Sequence, residues 1–295
     1  MNDPVDNDPV DNDPVNTGPV SSGPVSSGPV GNVLAGSGPT RGFLTRDLGL
    51  ILYHEAYALQ LETHARVADG LEPPTLLLLE HPRVISHGRK DETGTNVLAS
   101  PEMLEASGIA VVMTERGGTV TYHGPGQLVA YPIFPVGRRV RDFLRRLENV
   151  QIRVLESYGL LARPNPGYAG VYVAEDKIGS IGVAIKRNVA IHGLALNINT
   201  NLEDFDLIVP CGLGDTRMTS LQKLLGRSVD MGEVKTRLEA AFRNEFAEYR
   251  WTDELRGLEV AYGPGANEPE GGQSTASQSE GSQSEGSQSG NQVSA

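Results

Sequence analysis

The 295-residue chain has a single cysteine, Cys211, so no disulfide can form within it. No apolar run approaches the length of a membrane span, and the opening MNDPVDNDPV is neither basic nor apolar. Membrane insertion and secretory targeting are therefore not expected. A basic excess is missing as well, since the formal net charge is −12. Residues 1–40 hold five Asp and residues 263–295 hold four Glu, with no Lys or Arg in either stretch. The middle keeps 28 acids against all 25 bases, which leaves no electrostatic footprint for nucleic acid. This is the profile of a soluble, cytoplasmic protein without nucleic-acid or membrane partners, and a monomer is the expected state.

Apolar residues are scarce at both ends. From Asp3 to Asn32 a five-residue unit repeats six times, as DPVDN, DPVDN, DPVNT, GPVSS, GPVSS and GPVGN. Proline every fifth residue blocks helix and sheet, and the Asp, Asn, Ser and Gly between offer little to bury. The tail from Gly263, with its SQSEGSQSEGSQSG stretch, is rich in Gly, Ser, Gln and Glu. The sequence predicts a disordered arm over 1–40, one folded domain over 41–262 and a disordered tail over 263–295.

The middle reads as mixed α and β. LGLILYHEAYALQLETHARVADG carries Leu48, Ile51, Leu52 and Leu59 at helical spacing and ends at Gly70, which predicts a helix. PTLLLLEHP reads as a buried strand, IAVVMTERGG as a strand entering a glycine pair, and QLVAYPIF as a strand leaving the loop 116–126. VRDFLRRLENVQIRVLESYG is a strongly amphipathic helix with Val140, Phe143, Leu144, Leu147, Val150, Val154 and Leu155 on one side. GVYVAEDKIGSIGVAIKRNVAIHGLALNIN predicts three strands with turns near Glu175-Asp176 and Lys186-Arg187-Asn188. Segments near 216–226 and 233–249 read as closing helices. The predicted class is α/β (α+β), with helices against a largely antiparallel sheet.

Three loci carry candidate chemistry. Cys211 lies between Pro210 and Gly212, an irregular backbone that suits presentation of a side chain, although a lone cytosolic cysteine is more often a small buried hydrophobe. Lys177 lies in the glycine-bearing EDKIGSIG, where a solvated turn lysine is the plain alternative. His123 follows Tyr122 and precedes Gly124-Pro125-Gly126, so it reads either as a group for chemistry or as a satisfied structural histidine. His192, before Gly193, has the same two readings. His81 and His87 lack ligand spacing with a cysteine or carboxylate, and no metal site is expected.

RGGTVTYHGPGQLVAYPI, KIGSIGVAIKRNVAIHGLALNIN and FDLIVPCGL, in that order, closely resemble the octanoyltransferases of lipoate biosynthesis. The resemblance runs from about Leu48 to Glu248 and leaves out both arms. It implies the biotin/lipoate protein ligase fold, a mixed sheet flanked by helices with one cleft. It also implies transfer of an octanoyl group from octanoyl-acyl carrier protein to a lipoyl-domain lysine, without a cofactor, through a cysteine thioester. Carried over by residue, the acyl-bearing cysteine is Cys211 and the lysine that lowers its pKa is Lys177. The substrate-binding segments become Arg116, Gly117, Gly118, Thr119, Val120, Thr121, Tyr122 and His123, then Ser180, Ile181 and Gly182, then Gly193, Leu194 and Ala195. Gly179 departs from the alanine that relatives often carry, which is expected to loosen the backbone beside Lys177.

The implied acceptors are lipoyl domains of 2-oxoacid dehydrogenases and the glycine cleavage carrier protein. Amides at Gly117 and Gly118 would approach the donor, and Tyr122 and His123 would close over its thioester. Because acyl carrier proteins are acidic, Arg138, Arg139, Arg141, Arg145 and Arg146 are the expected docking charges, a solvated helix face being the plain alternative. The nearest rival is an ATP-dependent lipoate or biotin ligase on the same fold. Its Gly-Arg-Gly-Arg type of nucleotide loop is missing, where this chain has RGGTVTYHGPG.

Overall fold

The computed structural model describes residues 42–91, 95–165, 168–209 and 216–247; Cys211 and both arms lie outside them. A seven-stranded sheet forms the centre, in the order β1-β2-β6-β10-β9-β8-β7. Its strands are β1 (Leu44–Leu50), β2 (Thr75–Glu80), β6 (Gln127–Ile133), β7 (Ala162–Asn165), β8 (Tyr168–Val173), β9 (Asp176–Lys186) and β10 (Val189–Asn197). Only β1 and β2 run parallel; every other neighbouring pair is antiparallel. A second sheet of three strands has the order β4-β3-β5, from β3 (Val84–His87), β4 (Ala110–Met113) and β5 (Val120–His123).

Burial on both faces explains why the central strands read as unbroken apolar runs. Leu76, Leu78, Leu128 and Ala130 point into one core with α3 (Val140–Glu156) and α5 (Met231–Glu245). Leu77, Leu79, Val129, Tyr131 and Ile133 point into the other, under α1 (Tyr53–Ala68). A third core, around Ile85, Val120, Tyr122, Phe205 and Ile208, lies beneath the small sheet. The helix α3 buries Phe143, Leu147, Val150, Val154 and Leu155, as its periodicity predicts.

Several boundaries differ from the sequence reading. Leu48 lies within β1 rather than starting a helix: Gly49 takes φ +62 and its N–H bonds Asp47 Oδ1 at 3.0 Å, which interrupts helical geometry and delays α1 to Tyr53. The stretch 116–126 is not one loop, because its centre is β5. The predicted helix 216–226 shrinks to α4 (Leu221–Leu225), capped by Ser220 and closed by Gly226 at φ +66. The short helix α2 (Pro101–Ala106), β3 and β7 were not expected; each is brief and carries too little periodicity to stand out.

Candidate active site

Pairing across the sheet brings two of the expected binding segments together. Gly193, Leu194 and Ala195 on β10 stand opposite Gly182, Ile181 and Ser180 on β9. The turn 116–119 closes on the same place, where Gly117 N–H donates to Val183 O at 2.9 Å. A Cβ on Gly182 would meet Arg116 Cδ at 3.0 Å and Gly117 O at 3.2 Å, so glycine there lets the turn lie against the sheet. Arg116 is itself buried. Its Nη2 donates to Ser86 Oγ at 2.9 Å and its Nη1 to Gly117 O at 3.1 Å, which ties the turn to β3. Because Gly117 N–H is already used by β9, it is not the oxyanion donor that the glycine pair led us to expect.

Lys177 lies on the same strand, at a bulge where Val171 pairs with Gly179 and Tyr172 pairs with Lys177. Only 1% of the residue is exposed, an unusual state for lysine. Its Nζ lies 5.9 Å from the Tyr172 ring centroid. A Cβ on Gly170, at φ +143, would meet Lys177 Cε at 2.8 Å, so the buried side chain needs glycine beside it. Lys177 N–H donates to Arg217 O at 2.8 Å, and Lys177 O accepts from Thr219 N–H at 2.9 Å. Arg217 is six residues beyond Cys211 in sequence.

The other shoulder of the cysteine segment is fixed as well. Leu98 N–H donates to Leu207 O and Val209 N–H to Asn96 O, both at 2.8 Å. Asn96 Nδ2 donates to Asp91 Oδ1 at 2.6 Å, and Asp91 Oδ2 meets His87 Nδ1 at 2.6 Å. Asp91 and His87 are 1% and 4% exposed, so this is an interior relay ending two residues before Cys211. Sequence reasoning tested His87 only as a metal ligand and missed Asp91 and Asn96. The four-residue spacing between His87 and Asp91 was the available signal. Among the described residues no cluster of His, Cys, Asp and Glu could hold a metal ion.

His123 stands in a wall of rings. It lies 5.7 Å from His81 and 6.4 Å from Tyr53 between centroids, and its Nδ1 is 2.7 Å from Gln127 Oε1. Burial pushes the His123 imidazole down to about 3 and His81 to about 4, so both rings are neutral near pH 7. His192 is lowered too, again by burial. Its φ of +60 turns the ring, against strand alternation, onto the α1 side, stacked 5.7 Å from Tyr57 and edge-on to Tyr131 at 6.3 Å. Glu115 joins these elements: it accepts from Tyr57 at 2.6 Å and Lys186 at 2.7 Å, and lies 3.6 Å from His192. The His192, Lys186 and Tyr57 contacts hold the Glu115 carboxyl well below the usual carboxylate range.

Tyr122 points elsewhere. Its hydroxyl donates to Asp204 Oδ2 at 2.6 Å and its ring packs on Phe205, inside the third core. Thr121 alternates to the opposite side of β5, with His123. Val120 shares the core with Tyr122, and Thr119 O accepts from Gly88 N–H. The Gly124-Pro125-Gly126 turn serves close approach: Gly126, at φ +82, accepts from Asn199 N–H at 2.8 Å, and a Cβ on it would overlap Asn199 O.

The N-terminal end of α3 starts at the end of β9 remote from Lys177, and the helix runs back toward Lys177, where Gln151 packs on Gly179. Val136 and Gly137 N–H donate to Asn188 O, just beyond the end of β9 opposite Lys177. Nine steps of strand separate Lys177 from Lys186, roughly 30 Å. Arg145 and Arg146 are paired with Asp142, and Arg146 also lies over Phe246.

Residues 52–243 match the lipoyl protein ligase A/B catalytic domain family. An octanoyltransferase of Deinococcus radiodurans is 58% identical over 220 residues, 70% of this chain and 65% of that protein. This chain therefore spans just under two thirds of that relative's length. An octanoyltransferase of Syntrophobacter fumaroxidans is 45% identical over 203 residues, 68% of this chain and 89% of that protein. Among solved structures, a lipoate protein ligase of Thermoplasma acidophilum with its lipoyl domain superposes with TM-score 0.55 at 18% identity, over 72% of this chain and 90% of that one. A lipoate-protein ligase A bound with ATP gives 0.56 at 17%, over 70% of this chain and 86% of that one. Those two likenesses concern the fold, which is the mixed sheet flanked by helices. The sequence matches place this chain among the octanoyltransferases, built on the lipoyl protein ligase A/B catalytic domain.

Proposed function

We propose that the protein moves an octanoyl group from octanoyl-acyl carrier protein to the ε-amine of a lipoyl-domain lysine, with Cys211 as the acyl carrier in between. This is the first step of endogenous lipoylation, and its acceptors would be the 2-oxoacid dehydrogenases and the glycine cleavage carrier protein. The observation that carries the proposal is Lys177: a lysine buried to 1% exposure whose backbone binds Arg217 and Thr219, the stretch that follows Cys211.

Cys211 Sγ, as thiolate, attacks the donor carbonyl; the new C–S bond forms as the pantetheine C–S bond breaks. The leaving thiolate takes up a proton from the Lys177 ammonium, which leaves that amine neutral for the second step. The acceptor amine then attacks the enzyme thioester, Sγ leaves, and the amine's surplus proton passes to a base. An ammonium ~4 Å from a thiolate contributes up to ~4 kcal/mol at an effective dielectric near 20, up to about three pKa units before desolvation. Lys177 would supply that charge in the first step and, once neutral, accept the proton in the second. The segments 116–123, 180–182 and 193–195 would bind the donor's acyl arm.

The test is intact-protein mass after incubation with octanoyl-acyl carrier protein in the absence of ATP. One octanoyl adduct on wild type, none on Cys211→Ser, and its chase onto a lipoyl domain are expected. Transfer only from free octanoate and ATP would instead assign the ligase reaction.

A further inference from the structure

The position of the donor's docking surface follows from where exposed positive charge meets the binding turn; the inference rests on the carrier-protein reading above. Arg89 N–H donates to Arg116 O at 3.0 Å, Lys90 N–H to Gly118 O at 3.1 Å, and Gly88 N–H to Thr119 O. Two consecutive cations are thus carried on backbone stitched to the turn that lies against Gly182. Both residues are exposed, and neither forms an ion pair among the described residues. Of the two carboxylates that follow, Asp91 is buried and engaged by His87 and Asn96, and Glu92 lies outside the described residues.

This corner is within reach of Lys177. Gly182 lies five strand steps from Lys177, roughly 17 Å. A flexible thioester arm about as long as six extended residues spans roughly 20 Å. That length covers the path from the Arg89–Lys90 corner toward Lys177; because α3 also runs back to Lys177, where Gln151 packs on Gly179, free charge rather than reach separates the two surfaces. The charge on α3 is partly neutralised, with Arg145 and Arg146 on Asp142 and Arg153 on Glu245. A chain of net charge −12 repels an acidic partner overall, so local positive charge beside the cleft must steer it.

We propose that Arg89 and Lys90 form the docking surface for the acidic carrier protein that delivers the octanoyl thioester. They act on encounter and orientation, not on bond making, so their effect belongs to the protein part of the donor.

The experiment compares acylation of the full-length protein by octanoyl-acyl carrier protein and by octanoyl-pantetheine, which has a thioester arm and no acidic protein. Arg89→Glu/Lys90→Glu is expected to lower the ratio of kcat/KM for carrier protein over octanoyl-pantetheine by tenfold or more. The loss should shrink as salt rises from 20 to about 500 mM, where screening is short-ranged. Arg139→Glu/Arg141→Glu on α3 should leave the ratio unchanged. An equal fall for both donors would overturn the proposal and make the pair supports of the turn. A ratio moved by the α3 variant alone would return docking to that helix. If wild type accepts octanoyl from neither donor without ATP, the transferase reading fails and this proposal falls with it.

Discussion

Gly179 and Gln151 occupy each other's space. A Cβ on residue 179 would overlap Gln151 Oε1, which reaches from α3 and has no hydrogen-bond partner among the described residues. Glycine here does not loosen the strand beside Lys177, as its small size led us to expect, because the buried amide fills the gap. Gly179→Ala should therefore cost about 1–3 kcal/mol in urea unfolding, the usual range for overpacking. Adding Gln151→Ala should recover part of that loss, since the two side chains contend for one volume; additive effects would refute the coupling. Lys177 allows a second test at this scale. If it lowers the Cys211 pKa, Lys177→Met should raise the midpoint of an alkylation-rate titration by about one unit or more, and an unchanged midpoint would remove the lysine from that role.

Among the elements, the stretch before Cys211 is held by the relay of His87, Asp91, Asn96 and Val209. Asp91→Ala leaves the buried His87 imidazole N–H unpaired, at about 1–3 kcal/mol, and frees the half-buried Asn96 amide. Faster hydrogen exchange at Val209 is expected, together with a kcat for acylation that falls more than KM changes. Asp91→Asn keeps one acceptor and should restore much of both. Unchanged exchange at Val209 would show that the relay does not anchor that shoulder. The relay was hard to read from sequence because its members come from β3, the loop after it and the residue that follows the C-cap of the 3-10 helix (Leu202–Leu207). The same reason hides Glu115, whose partners sit on α1, β9 and β10. Long periodic elements such as α3, and the paired strands β9 and β10, were legible because local pattern and tertiary role agree there. β5 was not, since four residues between glycine turns read as loop until β3 is beside them. The glycines at 117, 118, 124 and 126 were recognised as sites of close approach. What they approach, β9, Lys90 and Asn199, depends on pairing that no local signal carries.

At the scale of the whole molecule, the buried histidines set how stability responds to acid. His81 and His123 titrate near 4 and 3 in the folded chain, against 6.5 when unfolded, and His192 is lowered as well. Between the two sets of values the unfolded chain binds more protons than the folded one, so stability falls as pH drops below about 6.5. Each such ring removes up to ~1.4 kcal/mol per pH unit until its folded pKa is reached. Glu115 acts in the same direction at lower pH: its depressed carboxyl adds stability above 4.5 that is lost as pH falls further. The melting temperature should therefore hold near pH 7 to 8 and decline steadily from pH 6.5 to 4. His81→Gln should melt lower at pH 7, because Ile51 O and Tyr131 Oη lose a partner, yet show a shallower decline with acid. The offset reports lost hydrogen bonds and the slope reports titration, so the two are separable in one series. Parallel curves for wild type and variant would mean that His81 is as easily protonated folded as unfolded, and that the ring wall around His123 is open to water.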